Sequence, residues 1–164
     1  AVGYMHSCAR MADGTARCWG YGQIGQLGDG TNATYRTTAV VVLGIDGIAA
    51  ATTAQAITAG SDHTCALMAD GTVLCWGQND KGQVGNGLAG GNYNTPQPVK
   101  GIVPGNPAVA ISAGANHTCV LMAEGNMRCW GGYTFGSGDG GQLGDGSIID
   151  SPRPVGVDAP PIGR

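Results

Sequence analysis

The sequence predicts an all-β repeat protein built from three small stapled sheets. Three observations carry this. Glycine fills 31 of the 164 positions, whereas Lys occurs twice (Lys81, Lys100) and Glu once (Glu124), so no long amphipathic helix can be written. One stretch recurs three times, as GYMHSCARMADGTARCWG (3–20), GSDHTCALMADGTVLCWG (60–77) and GANHTCVLMAEGNMRCWG (114–131). Each copy carries a cysteine pair ten positions apart: Cys8/Cys18, Cys65/Cys75 and Cys119/Cys129.

The central element of each copy is a hairpin. In His63–Trp76 the apolar positions alternate around Ala69-Asp70-Gly71. A three-residue loop wants glycine at its third position, where the backbone turns left-handed. With that loop Met68 faces Thr72, and Cys65 then falls directly opposite Cys75. The same register aligns the other two pairs, whereas a two-residue loop would misalign all three. Directly opposed residues lie within disulfide reach, and each bridge is expected to stabilise by about 2–3 kcal/mol. An even number of cysteines at one spacing reads as a disulfide framework and an oxidising compartment, outside the cell or at its surface.

After each hairpin comes a Gly-rich tail: GQLGDG (25–30), GQVGNG (82–87) and GQLGDG (141–146). Copy three holds five extra residues before its tail, within 131–140, read as a differing loop. An outer segment follows, TAVVV (38–42), TPQPV (95–99) and SPRPV (151–155); alternate prolines suit an edge strand. Short apolar stretches come next, QAITAG (55–60) and AVAISAG (108–114), read as small buried strands. His6, His63 and His117 set periods of 57 and 54 residues, dividing the chain into repeats at 1–57, 58–111 and 112–164, one continuous repeat domain. Copy three is read as lacking its final small strand, with Ala1-Val2-Gly3 supplying the end of one. Trp19, Trp76 and Trp130, once per copy, are the expected packing residues between neighbouring sheets, and the three histidines are read as structural hydrogen bonders.

His63-Thr64, Asp70-Gly71, Trp76-Gly77 and Gly82-Gln83-Val84-Gly85, with their counterparts in the other copies, resemble the regulator-of-chromosome-condensation repeat family. That resemblance implies a β-propeller of four-stranded blades, and the paired cysteines are similar to those of secreted bacterial members. Family propellers have about seven blades, and propellers in general four to eight. Three blades do not close a ring. The family's founding nuclear member acts on a small GTPase and on chromatin; six paired cysteines and a net charge of −3 argue against carrying that activity over. The same charge argues against a nucleic-acid partner, and no apolar run approaches a membrane span.

Chemistry in the sequence is sparse. His63, Cys65 and Cys75 have metal-ligating atoms, but the trio recurs in every copy, lacks a fourth ligand and is better spent on disulfides. The Gly-rich tails lack the Lys-Ser/Thr of a phosphate loop. The Gly-Asp-Gly run of 137–146 does not sustain a calcium repeat. No carboxylate pair or nucleophile stands apart from the repeat, so no catalysis, metal or cofactor is expected. Asn32-Ala-Thr34 and Asn116-His-Thr118 match the N-glycosylation pattern. Residues that differ between copies, Tyr21, Tyr35, Tyr93, Tyr133, Phe135 and Arg153, are the candidates for contacts with a partner. The expected function is a non-catalytic extracellular scaffold that self-associates through open blade faces, in a dimeric ring or head to tail, the N-terminal strand of one copy completing the last blade of another. The alternative is a protein-binding piece of a larger propeller, such as an inhibitor or an exchange-factor-like domain.

Overall fold

The computed structural model describes residues 1–132 and 140–158. Its described residues form three antiparallel sheets. The first contains β1 (His6–Arg10), β2 (Ala16–Tyr21) and β3 (Tyr35–Val41). After a 3-10 turn at Ala50–Thr52, the second contains β4 (Ala54–Ala59), β5 (His63–Met68), β6 (Val73–Gln78) and β7 (Asn92–Pro98). The third contains β8 (Ala108–Ala113), β9 (His117–Met122), β10 (Met127–Gly131) and β11 (Ser151–Gly156). Strands follow one another across each sheet in chain order. The proline-bearing β7 and β11 lie at the outer edges, where a missing N–H costs nothing. The small-residue strands β4 and β8 lie at the opposite edges and touch each other, and β4 touches β1. Ala, Ser and Thr let these strands converge where larger side chains would not fit.

Each hairpin has the register expected from its turn. Cys8 faces Cys18, Cys65 faces Cys75 and Cys119 faces Cys129. All three pairs are bonded, with Cα atoms 4.1 Å apart. At the middle turn, Met68 N–H donates to the Thr72 carbonyl at 2.8 Å and Gly71 takes φ of 81°. The Asp70 carboxylate locks that turn by accepting from the Thr72 amide at 2.9 Å and the Thr72 hydroxyl at 2.6 Å.

The structure corrects the phase of the repeat. The small apolar strand opens a blade instead of closing one: β4 pairs with β5, and β8 with β9. Blade three is therefore four-stranded, and blade one has three strands. Ala1–Gly3 stays with its own blade, Val2 bridging Ser7. Strand addition to the last blade has no vacant edge to fill there. Spacing alone did not say on which side the small strand pairs.

Candidate interaction surfaces

Alternation along the strands gives every blade two faces, and the blades stack face to face. One joint buries Cys8, Ala16, Cys18, Leu27 and Val42 of blade one against Ala66, Met68 and Trp76 of blade two. The next buries Cys65, Leu67, Val73, Cys75, Val84 and Val99 of blade two against Val120, Met122 and Trp130 of blade three. The disulfides thus lie on the forward face of each blade and the tryptophans on the rearward face. Each Trp inserts under the preceding blade's tail. Trp76 donates its indole N–H to the Gln26 carbonyl at 2.9 Å, and Trp130 to the Gln83 carbonyl at 3.0 Å. Glycine is required at that tail: a Cβ on Gly28 or Gly85 would come within 2.8 or 2.6 Å of the indole nitrogen, and φ there is positive.

The histidines tie the same joints from the other end of the strands. His6 Nε2 meets Thr64 Oγ1 at 2.8 Å, and His63 Nε2 meets Thr118 Oγ1 at 2.8 Å. Thr64 gives its own hydrogen to the Gln26 carbonyl at 2.9 Å, so it accepts from His6 and the proton sits on Nε2. Nδ1 of both rings is buried without a partner. Burial accordingly lowers His6 to about 4 and His63 to about 3, because a second ring proton would be charged and unpaired. His117, in the last blade, is half-buried and lowered by the same cause.

The outward faces of the end blades carry the same pattern uncovered. Trp19 is 38% exposed, whereas Trp76 and Trp130 are fully buried. In β2, Ala16 and Cys18 are buried while Arg17 and Trp19 face out. On the forward face of blade three, Leu121 is 39% and Met127 45% exposed. Among the described residues no tail of another blade covers Trp19 as Gly28 and Gly85 cover Trp76 and Trp130. Together these faces offer apolar ledges with the polar groups of a joint already in place.

The other candidate residues do not converge. Tyr21 and Tyr35 meet on blade one, with ring centroids 5.6 Å apart, and the Tyr21 hydroxyl donates to Gln23 Oε1 at 2.7 Å. Tyr93 packs against the joint of blades two and three, and Arg153 is exposed on β11. Tyr133 and Phe135 lie outside the described residues. The His63–Cys65–Cys75 trio is no donor set, its sulfurs being joined and its imidazole turned to Thr118. Among the described residues no three His, Cys, Asp or Glu side chains gather to hold a metal. No helix there is long and apolar enough to cross a membrane. Sequence reasoning missed the carbonyls of Gln26 and Gln83 as acceptors. The only signal was the recurrence of Gly-Gln in every tail.

Two family models, both described as the regulator of chromosome condensation (RCC1) repeat, match this chain, one at residues 54–83 and 108–142, the other at 70–121. The chain belongs to the RCC1 repeat family. This RCC1-repeat chain is 35% identical over 154 residues to the human probable E3 ubiquitin-protein ligase HERC4, covering 94% of itself and 14% of that protein. It is 30% identical over 160 residues to the ultraviolet-B receptor UVR8 of Arabidopsis thaliana, covering 97% of itself and 33% of that receptor. Among solved structures, Prp20p of Saccharomyces cerevisiae superposes with a TM-score of 0.78 at 21% identity, over 97% of this chain and 37% of that one. Human WBSCR16 gives 0.77 at 23%, over 95% and 38%. The RCC1 fold is thus that of β-propeller blades, and the chain spans well under half of each of these proteins.

Proposed function

We propose that this RCC1-repeat chain is a non-catalytic extracellular scaffold that joins other copies of itself through its two end faces. The repeats at 1–57, 58–111 and 112–164 act in it as one continuous domain. The observation that carries this reading is the match between the open faces and the internal joints. The forward face of blade three offers Cys119, Leu121, Met127 and Cys129 where blade two offers Cys65, Leu67, Val73 and Cys75. The rearward face of blade one offers Trp19 and Ser7 where blade two offers Trp76 and Thr64. Such a contact is heterologous: it closes a ring if the rotation allows and otherwise runs on as a filament. His117 would then meet Ser7 as His6 meets Thr64. Three intramolecular disulfides support an oxidising location. The net charge of −3 speaks against nucleic acid as partner.

A second reading is a protein-binding stretch of a larger propeller. It is favoured by the 37–38% of the solved chains that this one covers. One structure shows yeast RCC1 (Prp20) with Kap60 bound, and another reports Prp20p binding properties to Gsp1p and histones. Light scattering on the purified 164-residue polypeptide decides between the two. Self-association predicts a mass that rises with concentration and falls back to the monomer in Trp19→Glu. A stable monomer at every concentration overturns the scaffold reading and leaves the second.

A further inference from the structure

A cleft of about 550 Å3 opens at the loop end of the middle blade. Tyr4, Asp62 and Asn116 line it from the loops that precede β1, β5 and β9; Asp80, Lys81 and Gln83 line it from the loop after β6. Gln83 is wholly buried. Its Oε1 accepts the Lys81 amide proton at 2.8 Å, which fixes the direction of the carboxamide. Its Nε2 then has no partner in the protein. Gln26, the same position one repeat earlier, is served differently: its Oε1 accepts from Ile24 at 3.2 Å and its Nε2 donates to Asp62 Oδ1 at 3.4 Å. The counterpart of Asp62 in the third repeat is Asn116, so the carboxylate that would receive Gln83 is missing. An unspent buried N–H is costly and asks for an acceptor oxygen.

The other groups narrow what brings that oxygen. Asp62 is partly buried, and desolvation raises its carboxyl. Among the described residues the sole ion pair is Arg36–Asp29, so Asp62, Asp80 and Lys81 all lack a counter-charge. Asp80 is already bonded to Gln78 Nε2 at 3.0 Å. A cationic ligand would suit the two carboxylates but leave Gln83 unsatisfied and meet Lys81. An anionic ligand would suit Gln83 and Lys81 but meet two carboxylates. A neutral ligand with several hydroxyls satisfies all of them, because each hydroxyl both donates and accepts. At the rim Tyr4 is 79% exposed, an aromatic face free to lie against the C–H face of a ring. The volume falls within the usual range for small-molecule sites.

We propose that this cleft is a carbohydrate-binding site, with Gln83 Nε2 donating to one sugar hydroxyl, Asp62 accepting from another and Tyr4 stacking on the ring. The test is a titration of the intact, oxidised chain with a panel of neutral sugars: glucose, galactose, mannose, N-acetylglucosamine and their disaccharides. The readout is the side-chain amide NMR signals of Gln83 and Asn116. At least one sugar should shift them saturably, with a dissociation constant of about 1–10 mM for so open a site. Gln83→Glu keeps the acceptor for Lys81 but removes the donor, and should weaken binding roughly tenfold. Asn116→Asp gives Gln83 the internal acceptor that Asp62 gives Gln26, and should weaken it too. Tyr4→Ala, at an exposed position, should do so without touching the fold. Silence of the whole panel, or equal binding by all three variants, overturns the proposal. So does a saturable response to acetate or guanidinium with none to sugars, which would assign the cleft to a charged partner.

Discussion

The β5–β6 hairpin of the middle blade and the β9–β10 hairpin of the last one share a motif and a disulfide but not an environment. Every residue of β5 is buried, including His63 and Thr64. In β9 only Thr118, Val120 and Met122 are, and the residues between them are partly or fully exposed. Leu67 and Leu121 occupy the same place in the repeat, the first 1% exposed and the second 39%. A residue in a stacked-blade protein is a core residue because a neighbour covers it. Its own strand does not decide. The stability of such an array is a sum of blades and joints, and the joints are where single changes weigh most.

The largest expected effect is Trp76→Ala against Trp19→Ala. The first leaves a cavity in a joint and removes one of the two hydrogens that the Gln26 carbonyl accepts, that of Thr64 remaining, and should cost about 3–5 kcal/mol. The second removes a half-open ring and should cost under about 1 kcal/mol in the monomer. Denaturant melts with the disulfides intact would measure both; equal losses would break the comparison.

Acid should come next. His63 and His6 have folded pKa values of about 3 and about 4, below the unfolded value of 6.5. The unfolded chain therefore binds more protons between those limits, and stability falls as the pH drops from about 6.5 towards 3. Each tenfold loss of proton affinity on folding is worth about 1.4 kcal/mol, so His63 alone contributes on the order of a few kcal/mol. Asp62, raised by burial, acts in the opposite direction. Asp13, Asp29, Asp46 and Asp145, all held low, lose their contribution only below about pH 4, so the slope at higher pH belongs to the histidines. Melts from pH 7 to 4 on wild type and His63→Gln would show it, the variant losing up to about half of the slope and His6 and His117 supplying the rest.

The disulfides sharpen the contrast further. Removing Cys65–Cys75 by paired Ala substitution should cost about 3 kcal/mol on loop entropy alone. Reduction should nevertheless begin at Cys119–Cys129, because Cys119 lines the open face while Cys65 and Cys75 are fully buried. Brief treatment with a dithiol followed by alkylation and mass spectrometry would read the order. Labelling of Cys65 or Cys75 first would contradict the burial of the middle joint.

The smallest effect concerns the turns. Asp70 accepts from both the amide and the hydroxyl of Thr72, whereas Glu124 receives Asn126 Nδ2 at 3.3 Å within its turn and Asn106 Nδ2 at 3.0 Å from outside it. Asp70→Ala should cost about 1 kcal/mol, and Glu124→Asp with Asn126→Thr should recover about 0.5–1 kcal/mol in the last hairpin. Thermal melts of the two variants would rank them.

Much of the site was out of reach of sequence reading. Hydrogen bonding by His6 and His63 was legible, since a histidine stands at the head of every hairpin. Their partners were not, because His6 and Thr64 are 58 residues apart. The aromatic candidates were chosen for differing between copies, yet Tyr93 lies against a joint and Tyr21 and Tyr35 lie against each other. Variation between repeats marks freedom from the repeat pattern and does not by itself decide exposure, Tyr35 being exposed and Tyr93 packed.

By itself the sequence determined what is decided within about ten residues: the loop length, the glycine at its third position, the facing of each cysteine pair and the edge placement of the proline strands. Backbone sterics and covalent reach settle those without help from elsewhere. Only the tertiary structure decided which blade owns each small strand, which tryptophan is covered, where the imidazole proton sits and why Gln83 lacks the acceptor that Gln26 has. These are properties of contacts between units some 55 residues apart, where burial and hydrogen bonding belong to the pair of blades and not to either one.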